Sequence, residues 1–146
     1  MKRGHLVNLL RSRGGASAVE FALVLTPLML LSFGVLEFGR LFWAYEALQQ
    51  TAITGARCMG IRSGSCASGG SYSSGNTTSY IQQVASGWGL TVPGGNITLN
   101  ASATCGGVSG LSQVQLTYNF TTIVPQILPI PAGETLSATA CFPNNP

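Results

Sequence analysis

The sequence predicts an α+β protein, in which a long N-terminal membrane-spanning helix precedes a small antiparallel sheet of three to four strands and one short helix. An apolar run without charge extends from Phe21 to Leu36, and a helical pattern continues from it to about Arg57. After Pro93 the apolar residues recur at every second position, which is the period of half-buried strands. We therefore divide the chain into a leader, an assembly helix and an exported body: residues 1–15, 16–57 and 58–146.

The predicted membrane span is bounded by two carboxylates, Glu20 and Glu37. The run between them is short for a full span, which takes about 20 residues. Apolar residues resume at Leu41, and Trp43 and Tyr45 lie where an interfacial aromatic belt is expected. We predict a single span, from which the helix continues beyond the bilayer.

The basic residues are concentrated before the span. Four of the seven Lys and Arg residues lie in the leader, which contains no acid, and the rest of the chain has three Arg and four Glu, for a net charge of 3 − 4 = −1. This distribution predicts a cytoplasmic N-terminus and an exported body. A nucleic-acid-binding arm is the alternative interpretation of a basic terminus. We disfavour it, and expect no nucleic-acid partner, because the apolar span follows at once.

The leader ends in two glycines, Gly14 and Gly15. A cut between Gly15 and Ala16 would create an α-ammonium four residues before Glu20. A carboxylate at the mouth of a span is costly unless it is paired, so we predict that processing creates its partner. A secretory signal needs its cleavage site after the apolar run, whereas the A-x-A sequence that begins at Ala16 precedes it. An uncleaved signal anchor remains an alternative.

The exported body contains a loop, a short helix and three strands. Residues 58–75 are rich in Gly and Ser and predict a flexible loop. Asn76 is the predicted N-cap of a helix through Ala85, which Gly87 ends. The predicted strands are residues 97–104, 114–121 and 135–142. One face of the first strand carries Ile97, Leu99, Ala101 and Ala103. One face of the second carries Val114, Leu116, Tyr118 and Phe120. We expect Pro125, Pro129 and Pro131 to form a stiff connection, and the sheet to pack on the outer half of the long helix.

Four cysteines in an exported segment predict two disulfides rather than a metal site. No Cys-x-x-Cys occurs, and the only histidine, His5, lies in the leader. Of the three possible connectivities we favour Cys58–Cys66, which closes a Gly/Ser loop, with Cys105–Cys141, whose residues end the first and third strands. Asn-x-Ser/Thr sequons, which we interpret as compositional in so Thr-rich a chain, begin at Asn76, Asn96, Asn100 and Asn119.

The composition argues against catalysis. The processed chain would contain no Asp, Lys or His, and the body has one carboxylate, Glu134. Acid–base and nucleophilic catalysis need a titratable group beside the reacting atom. No Gly-rich phosphate loop with a lysine is present either. We therefore predict a protein that is not an enzyme and that needs no cofactor or metal.

The stretch Gly15–Leu28, with Glu20-Phe21 and Pro27, and the following Phe33–Arg40 resemble the TadE-like family. These proteins are minor pilins, or pseudopilins, of the tight-adherence (Tad/Flp, type IVc) pilus system. The resemblance covers about residues 14–57 and depends on the order of leader, glycine, glutamate and proline-bearing span. It implies a pilin-like fold, cleavage between Gly15 and Ala16 by a prepilin peptidase, and assembly through Glu20, Phe21 and Pro27.

The same resemblance implies partners and a location. The partners are the prepilin peptidase, other Tad/Flp pilins, the inner-membrane assembly platform and the membrane itself. The subunit is expected to be a single-pass inner-membrane protein with its N-terminus cytoplasmic and its body periplasmic, and to become extracellular in the pilus. The major Flp pilins are little more than the helix, so the additional body favours a minor subunit.

Two features of the helix need an interpretation of their own. Pro27 removes a backbone hydrogen bond, so we expect a kink or loosening near residues 23–27. It is either a tolerated membrane proline or a hinge used when the subunit leaves the bilayer. Glu37 and Arg40 are three residues apart and can form an ion pair on one helix face, which we interpret as a structural pair at the membrane edge.

Two functions fit these observations. The first is a processed minor pilin that contributes to pilus assembly and surface adhesion. The second is an uncleaved, membrane-anchored adhesin whose neutral Ser/Thr/Asn-rich surface binds a host or abiotic surface. They differ in processing, because an anchored adhesin has no need of a cut at Gly15.

Overall fold

The computed structural model describes residues 13–122 and 133–145. Pro125, Pro129 and Pro131 of the predicted connection lie outside the described residues, as does most of the leader. The chain divides into two compact units, Met1–Phe38 and Gly39–Pro146, and the first helix contributes to both. The α+β fold is confirmed. Its elements are α1 (Arg13–Gly60), β1 (Ala67–Ser68), β2 (Ser71–Tyr72), α2 (Ser74–Gly87), a 3₁₀ turn (Gly94–Asn96), β3 (Ile97–Cys105), β4 (Val108–Phe120) and β5 (Glu134–Pro143).

Helix α1 continues slightly beyond its predicted end near Arg57, to Gly60. Its last carbonyl groups find backbone donors: the Ile61 N–H donates to Arg57 O at 3.0 Å, and the Asn145 N–H donates to Gly60 O at 2.9 Å. Arg57 lies in the last turn, where a cation is favoured by the helix dipole. Arg62, with a φ of 51°, then adopts the left-handed conformation in the turn that follows the helix.

A small hairpin occupies part of the segment predicted as a loop. Strands β1 and β2 pair antiparallel, with Ala67 opposite Tyr72. Gly69 and Gly70 form the turn with φ values of 61° and 80°, which glycine adopts without steric cost. Burial raises the pKa of the Tyr72 phenol above its usual range. The loop predicted over residues 58–75 was therefore wrong in part, because strands of two residues leave no period in a sequence.

Helix α2 begins before its predicted cap. Ser73 is the N-cap, and its side chain accepts a hydrogen bond from the Asn76 N–H at 3.4 Å. The Asn76 amide instead donates to Ala67 O at 2.9 Å, which ties the helix to the hairpin. The prediction of Asn76 as the cap was wrong, because Ser and Asn cap helices equally well and the sequence offers both. The predicted end at Gly87 is confirmed.

The three-stranded sheet has the order β3-β4-β5, with both pairs antiparallel. All three predicted strands are confirmed. Strand β4 begins at Val108, earlier than predicted. The prediction missed its first residues because Gly110 and the serines around it interrupt the apolar alternation in the sequence. Ala101 was predicted on the inner face and is exposed, because the register of β3 against β4 shifts between Asn100 and Ala103. Such a bulge disrupts the alternation of faces along a strand.

The core of the second unit joins the sheet, α2 and the C-terminal part of α1, as predicted. A Cβ added at Gly55 of α1 would lie 2.8 Å from Cδ1 of Ile81 in α2 and 3.5 Å from Cγ2 of Val114 in β4. The three elements therefore approach one another closely at this glycine. The buried apolar residues are Ala44, Ala47, Leu48, Ala52, Ala56 and Met59 of α1, Ile81 and Ala85 of α2, Leu90 and Val92 after it, and Val114, Leu116, Phe120 and Ala138 of the sheet.

Candidate functional site

The first half of α1 presents large apolar side chains on all sides, and we call it the apolar surface of α1. Its most apolar window has a mean hydropathy of 2.1, and none of that window is buried within the protein. Among the described residues, α1 is the one helix long and apolar enough to cross a membrane. A patch of this size needs lipid or neighbouring helices to cover it. The exposed residues are Val19, Phe21, Leu23, Val24, Leu28, Met29, Leu30, Leu31, Phe33, Val35, Leu36 and Phe38.

Glu20 lies on the apolar surface of α1, and its side chain is exposed beside that of Phe21. In the uncut chain α1 begins at Arg13 and has no acidic residue in its first turn. The bond between Gly15 and Ala16 lies within this first turn. A cut there would make Glu20 the fifth residue of the new helix. Its carboxylate would then lie one turn from the new α-ammonium and near the positive end of the helix dipole.

Pro27 lies inside α1, and the helix remains continuous through it. Proline has no N–H, so the carbonyl of Leu23 loses its usual helical donor. The hydroxyls near the proline bond back to the helix: Thr26 Oγ1 donates to Ala22 O at 2.8 Å, and Ser32 Oγ donates to Leu28 O at 2.8 Å. Neither hydroxyl therefore presents an unsatisfied donor to an apolar environment. The bend expected near residues 23–27 stays a prediction.

The predicted ion-pair residues have different surroundings. The Glu37 side chain is buried, with 4% of its surface exposed. Arg40 is exposed, and its guanidinium carbon lies 5.4 Å from the centroid of the Phe120 ring, in the range of a cation–π contact. This contact was not predicted, because Phe120 is far from Arg40 in the sequence. The ion pair between Glu37 and Arg40 stays a prediction.

Two tryptophans meet where the body packs on α1. The rings of Trp43 in α1 and Trp88 after α2 have centroids 5.8 Å apart and an interplanar angle of 65°, an edge-to-face arrangement. The Trp43 Nε1–H donates to Trp88 O at 3.5 Å. Both side chains remain exposed, Trp43 by 58% and Trp88 by 40%. Trp43 was predicted at the membrane interface, whereas the role of Trp88 was missed. The position of Trp88 between Gly87 and Gly89 could have indicated a large apolar side chain in an exposed turn.

The two disulfides of the structure have the pairing that the sequence favoured. Cys58–Cys66 links the last turn of α1 to the residue before β1, with a Cα–Cα distance of 5.8 Å. Cys105–Cys141 links β3 to β5, the two outer strands of the sheet, with a Cα–Cα distance of 6.6 Å. The Gln113 amide of the central strand lies against both sulfurs of this second disulfide, at 3.6 and 3.7 Å. The disulfides thus fix the end of the long helix and the two edges of the sheet.

The described part of the chain contains no group of three or more His, Cys, Asp or Glu side chains that could hold a metal ion. All four cysteines are in disulfides. The chemistry of the candidate site therefore consists of an apolar helix surface, one exposed carboxylate near its start and an aromatic pair near its far end. This arrangement suits association with lipid or with other helices.

Comparison with known proteins finds a match to the first helix. Residues 15–57 match a family model described as TadE-like protein. This range contains Gly15 and Ala16, where processing is predicted, Glu20, the apolar surface of α1 and Trp43 beyond it. No curated protein matches the chain, and no solved structure does.

Proposed function

We propose, on the premise that residues 15–57 form a TadE-like segment, that this chain is a minor pilin, or pseudopilin, of a Tad/Flp pilus. A prepilin peptidase cuts it between Gly15 and Ala16. The processed subunit resides in the inner membrane with its body in the periplasm. From there it joins other Tad/Flp pilins at the inner-membrane assembly platform and contributes to pilus assembly and surface adhesion.

The observation that carries this proposal is the apolar surface of α1. The second unit has its own core, in which the later part of α1 is buried. The earlier part, up to Phe38, exposes its apolar side chains. A bilayer covers such a surface before assembly, and the helices of neighbouring subunits cover it afterwards. One helix surface thus serves as a membrane span and as an assembly surface.

Glu20 gives that surface its specificity. Helices in lipid gain little from the hydrophobic effect when they associate, because lipid tails are as apolar as leucine. A carboxylate that loses its water on assembly needs a partner charge. The α-ammonium of Ala16, on the same or a neighbouring processed subunit, supplies that charge. Processing and assembly are therefore linked, since the uncut chain has no ammonium at this position.

The folded body favours a minor rather than a major subunit. The major pilins of the resembled system consist of little more than the helix, whereas this chain adds a disulfide-bearing body with one exposed carboxylate, Glu134. A nearly neutral surface rich in Ser, Thr and Asn is compatible with contact to many surfaces. We therefore assign the body to the adhesive or priming part of the pilus rather than to its shaft.

The test is the N-terminal mass of the protein isolated from membranes and from sheared filaments. We expect a chain that begins at Ala16. Gly15→Val should accumulate the uncut form, because a branched side chain obstructs a peptidase site shaped for glycine. Gly14→Val places the same side chain one residue earlier and is the matched control, which should still be cut.

Native protein that retains Met1 would contradict the proposal. It would favour the uncleaved membrane-anchored adhesin, which has the same span and body but no processing. Equal cleavage of the Gly15→Val and wild-type chains would place the cut elsewhere in the leader.

A further inference from the structure

The body meets α1 near residues 40–43 through two aromatic side chains. Phe120, the last residue of β4, lies under the Arg40 guanidinium. Trp88, in the turn after α2, lies against Trp43. Both contacts occur at the end of the body where α1 enters it. Phe120 and Trp88 therefore mark the end of the body that follows the predicted span in the chain.

The two indoles have the properties of interfacial side chains. Each is substantially exposed despite their mutual contact. The Trp43 N–H is held by Trp88 O, whereas the Trp88 indole N–H donates to no other described residue. An indole with an exposed apolar body and an available N–H is stable where one end is apolar and the other is wet. The headgroup region of a bilayer is such an environment.

The position of Trp43 along the helix agrees with that depth. The apolar run begins at Phe21, and Trp43 follows after roughly 22 residues, which rise about 33 Å in a regular helix. The hydrocarbon core of a bilayer is about 30 Å thick, and its headgroup regions extend it to about 40–45 Å. When Phe21 lies at the inner edge of the core, Trp43 therefore lies at or just beyond the outer edge.

Charged residues begin shortly before this level: Glu37 is buried, and Arg40, one turn before Trp43, lies over the Phe120 ring. Phe42 and Trp43 are exposed apolar residues, and Glu46 and Gln50 follow one and two turns later. Glu46, Gln50 and the two indoles line a cavity of about 50 Å³. Glu46 is exposed and follows Trp43 by one turn, so it lies farther from the predicted span along the helix. The indoles therefore lie beyond the end of the uncharged apolar run, among charged and polar residues, as interfacial tryptophans do.

We propose that Trp43 and Trp88 form an interfacial anchor that holds the end of the body in the headgroup region of the bilayer. Trp43 sets the depth of the helix, and Trp88 extends the contact to the turn between α2 and β3. The anchor restricts the tilt of the body relative to the membrane surface, because the two indoles belong to different elements of one core. It rests on the membrane span of the proposed function and is independent of processing.

The test uses the fact that the protein contains only these two tryptophans. Trp43→Phe leaves Trp88 as the single fluorophore, and Trp88→Phe leaves Trp43. Each full-length variant is reconstituted in phosphatidylcholine vesicles whose acyl chains carry bromine either near the headgroup or near the methyl end. For both variants we expect blue-shifted emission and a larger loss of emission with the shallow bromines than with the deep ones.

Red emission from Trp88 that is insensitive to both brominated lipids and strongly quenched by aqueous iodide would overturn the proposal, even with Trp43 quenched by lipid. That result would place Trp88 in water, where it could contact a neighbouring subunit but not the lipid. Near-ultraviolet circular dichroism and intact disulfides verify the fold of each variant. This experiment distinguishes failure of the anchor from failure of the proposed function. A chain that is never cut would still insert into the vesicles, and the brominated lipids would still quench both indoles.

Discussion

The two halves of α1 belong to one continuous helix and have opposite surroundings. Up to Phe38 the helix exposes large apolar side chains in nearly every direction. From Ala44 onward it buries a face of small residues against the sheet and α2, while Ile53 and Arg57 stay exposed. The most apolar window of the helix, with a mean hydropathy of 2.1, has no buried residue, whereas the second half includes Glu46, Gln50 and Arg57. The two halves also differ in the size and spacing of their apolar residues.

Small residues in the second half let other elements approach the helix backbone. The buried positions Ala44, Ala47, Ala52 and Ala56 and the close contacts at Gly55 show that the body packs near the helix axis. The first half has Leu, Phe and Val at comparable positions, which suit lipid tails or the helices of other subunits. A helix with a narrow face of small residues is thus the packed half, and one with large residues all round is the half that needs an external partner.

The largest effect that separates the two halves should come from Glu20→Ala. We expect this variant to be cut normally and to remain in the membrane, yet to lose most co-purification with partner pilins. Removing one member of a desolvated charge pair generally costs about 3–5 kcal/mol, because the other charge stays buried and unpaired. The measurement is co-purification from detergent-solubilised membranes, together with the N-terminal mass.

Glu46→Ala is the matched control for this experiment. It removes another exposed carboxylate from the same helix, at a position beside the body, and should not change co-purification. Assembly of Glu20→Ala at the wild-type level would assign Glu20 no role beyond that of a carboxylate at the membrane edge. Equal losses in both variants would point to net charge rather than to a specific pair.

The regular elements could be predicted because each is long enough to show its period. The apolar run and helical pattern predicted α1, and alternation predicted the three strands. The hairpin of β1 and β2 was missed because its strands have two residues each. The inward position of Ala101 was wrong because the bulge depends on long-range contacts; Asn144 Nδ2 donates to Ala101 O at 2.7 Å across the fold.

The candidate site was predictable where it is local in sequence and missed where it is not. Gly15, Ala16 and Glu20 form one short motif, and the cysteine spacing favoured the observed pairing. Trp88 and the contact of Arg40 with Phe120 are brought to α1 only by the packing of the body. No local pattern connects residues that far apart in the chain, so these two contacts became visible only in the structure.

Loss of a disulfide should weaken the second unit and leave the first unchanged. Cys105→Ala with Cys141→Ala should lower the free energy of unfolding of the body by about 2–4 kcal/mol, because the unfolded chain regains freedom. The sequence separation is 36 for this disulfide and 8 for Cys58–Cys66. In the chain-entropy model the longer loop contributes about 1.3 kcal/mol more. Urea unfolding in detergent, followed by near-ultraviolet circular dichroism, measures both double variants.

Membrane insertion of both disulfide variants should equal that of the wild type, as measured by resistance to alkaline extraction. Loss of insertion together with unfolding of the body would contradict the independence of the two units.

Non-reducing peptide mapping of the wild-type protein should find no free thiol and a peptide pair joining Cys105 to Cys141. A peptide pair that joins Cys66 to Cys105 would refute the connectivity.

The smallest effect should come from alanine substitutions of three glycines along α1. At Gly60 an added Cβ would lie 2.6 Å from Cδ1 of Phe142 and 2.6 Å from the backbone oxygen of Pro143. A backbone oxygen cannot rotate away, so we expect Gly60→Ala to lower the stability of the body by about 1–3 kcal/mol, as overpacking does. At Gly55 the close atoms are Cδ1 and Cγ1 of the buried Ile81 side chain, which can rearrange in part where a backbone oxygen cannot, so the loss of stability should be smaller. At Gly34, in the first half, nothing lies within 4 Å of the added Cβ, and the body should keep its full stability.

Urea midpoints should therefore rank Gly34→Ala above Gly55→Ala and Gly55→Ala above Gly60→Ala. A fall in the Gly34→Ala midpoint to the level of Gly60→Ala would show that the first half of the helix is packed within the subunit, which would undo the distinction between the two halves.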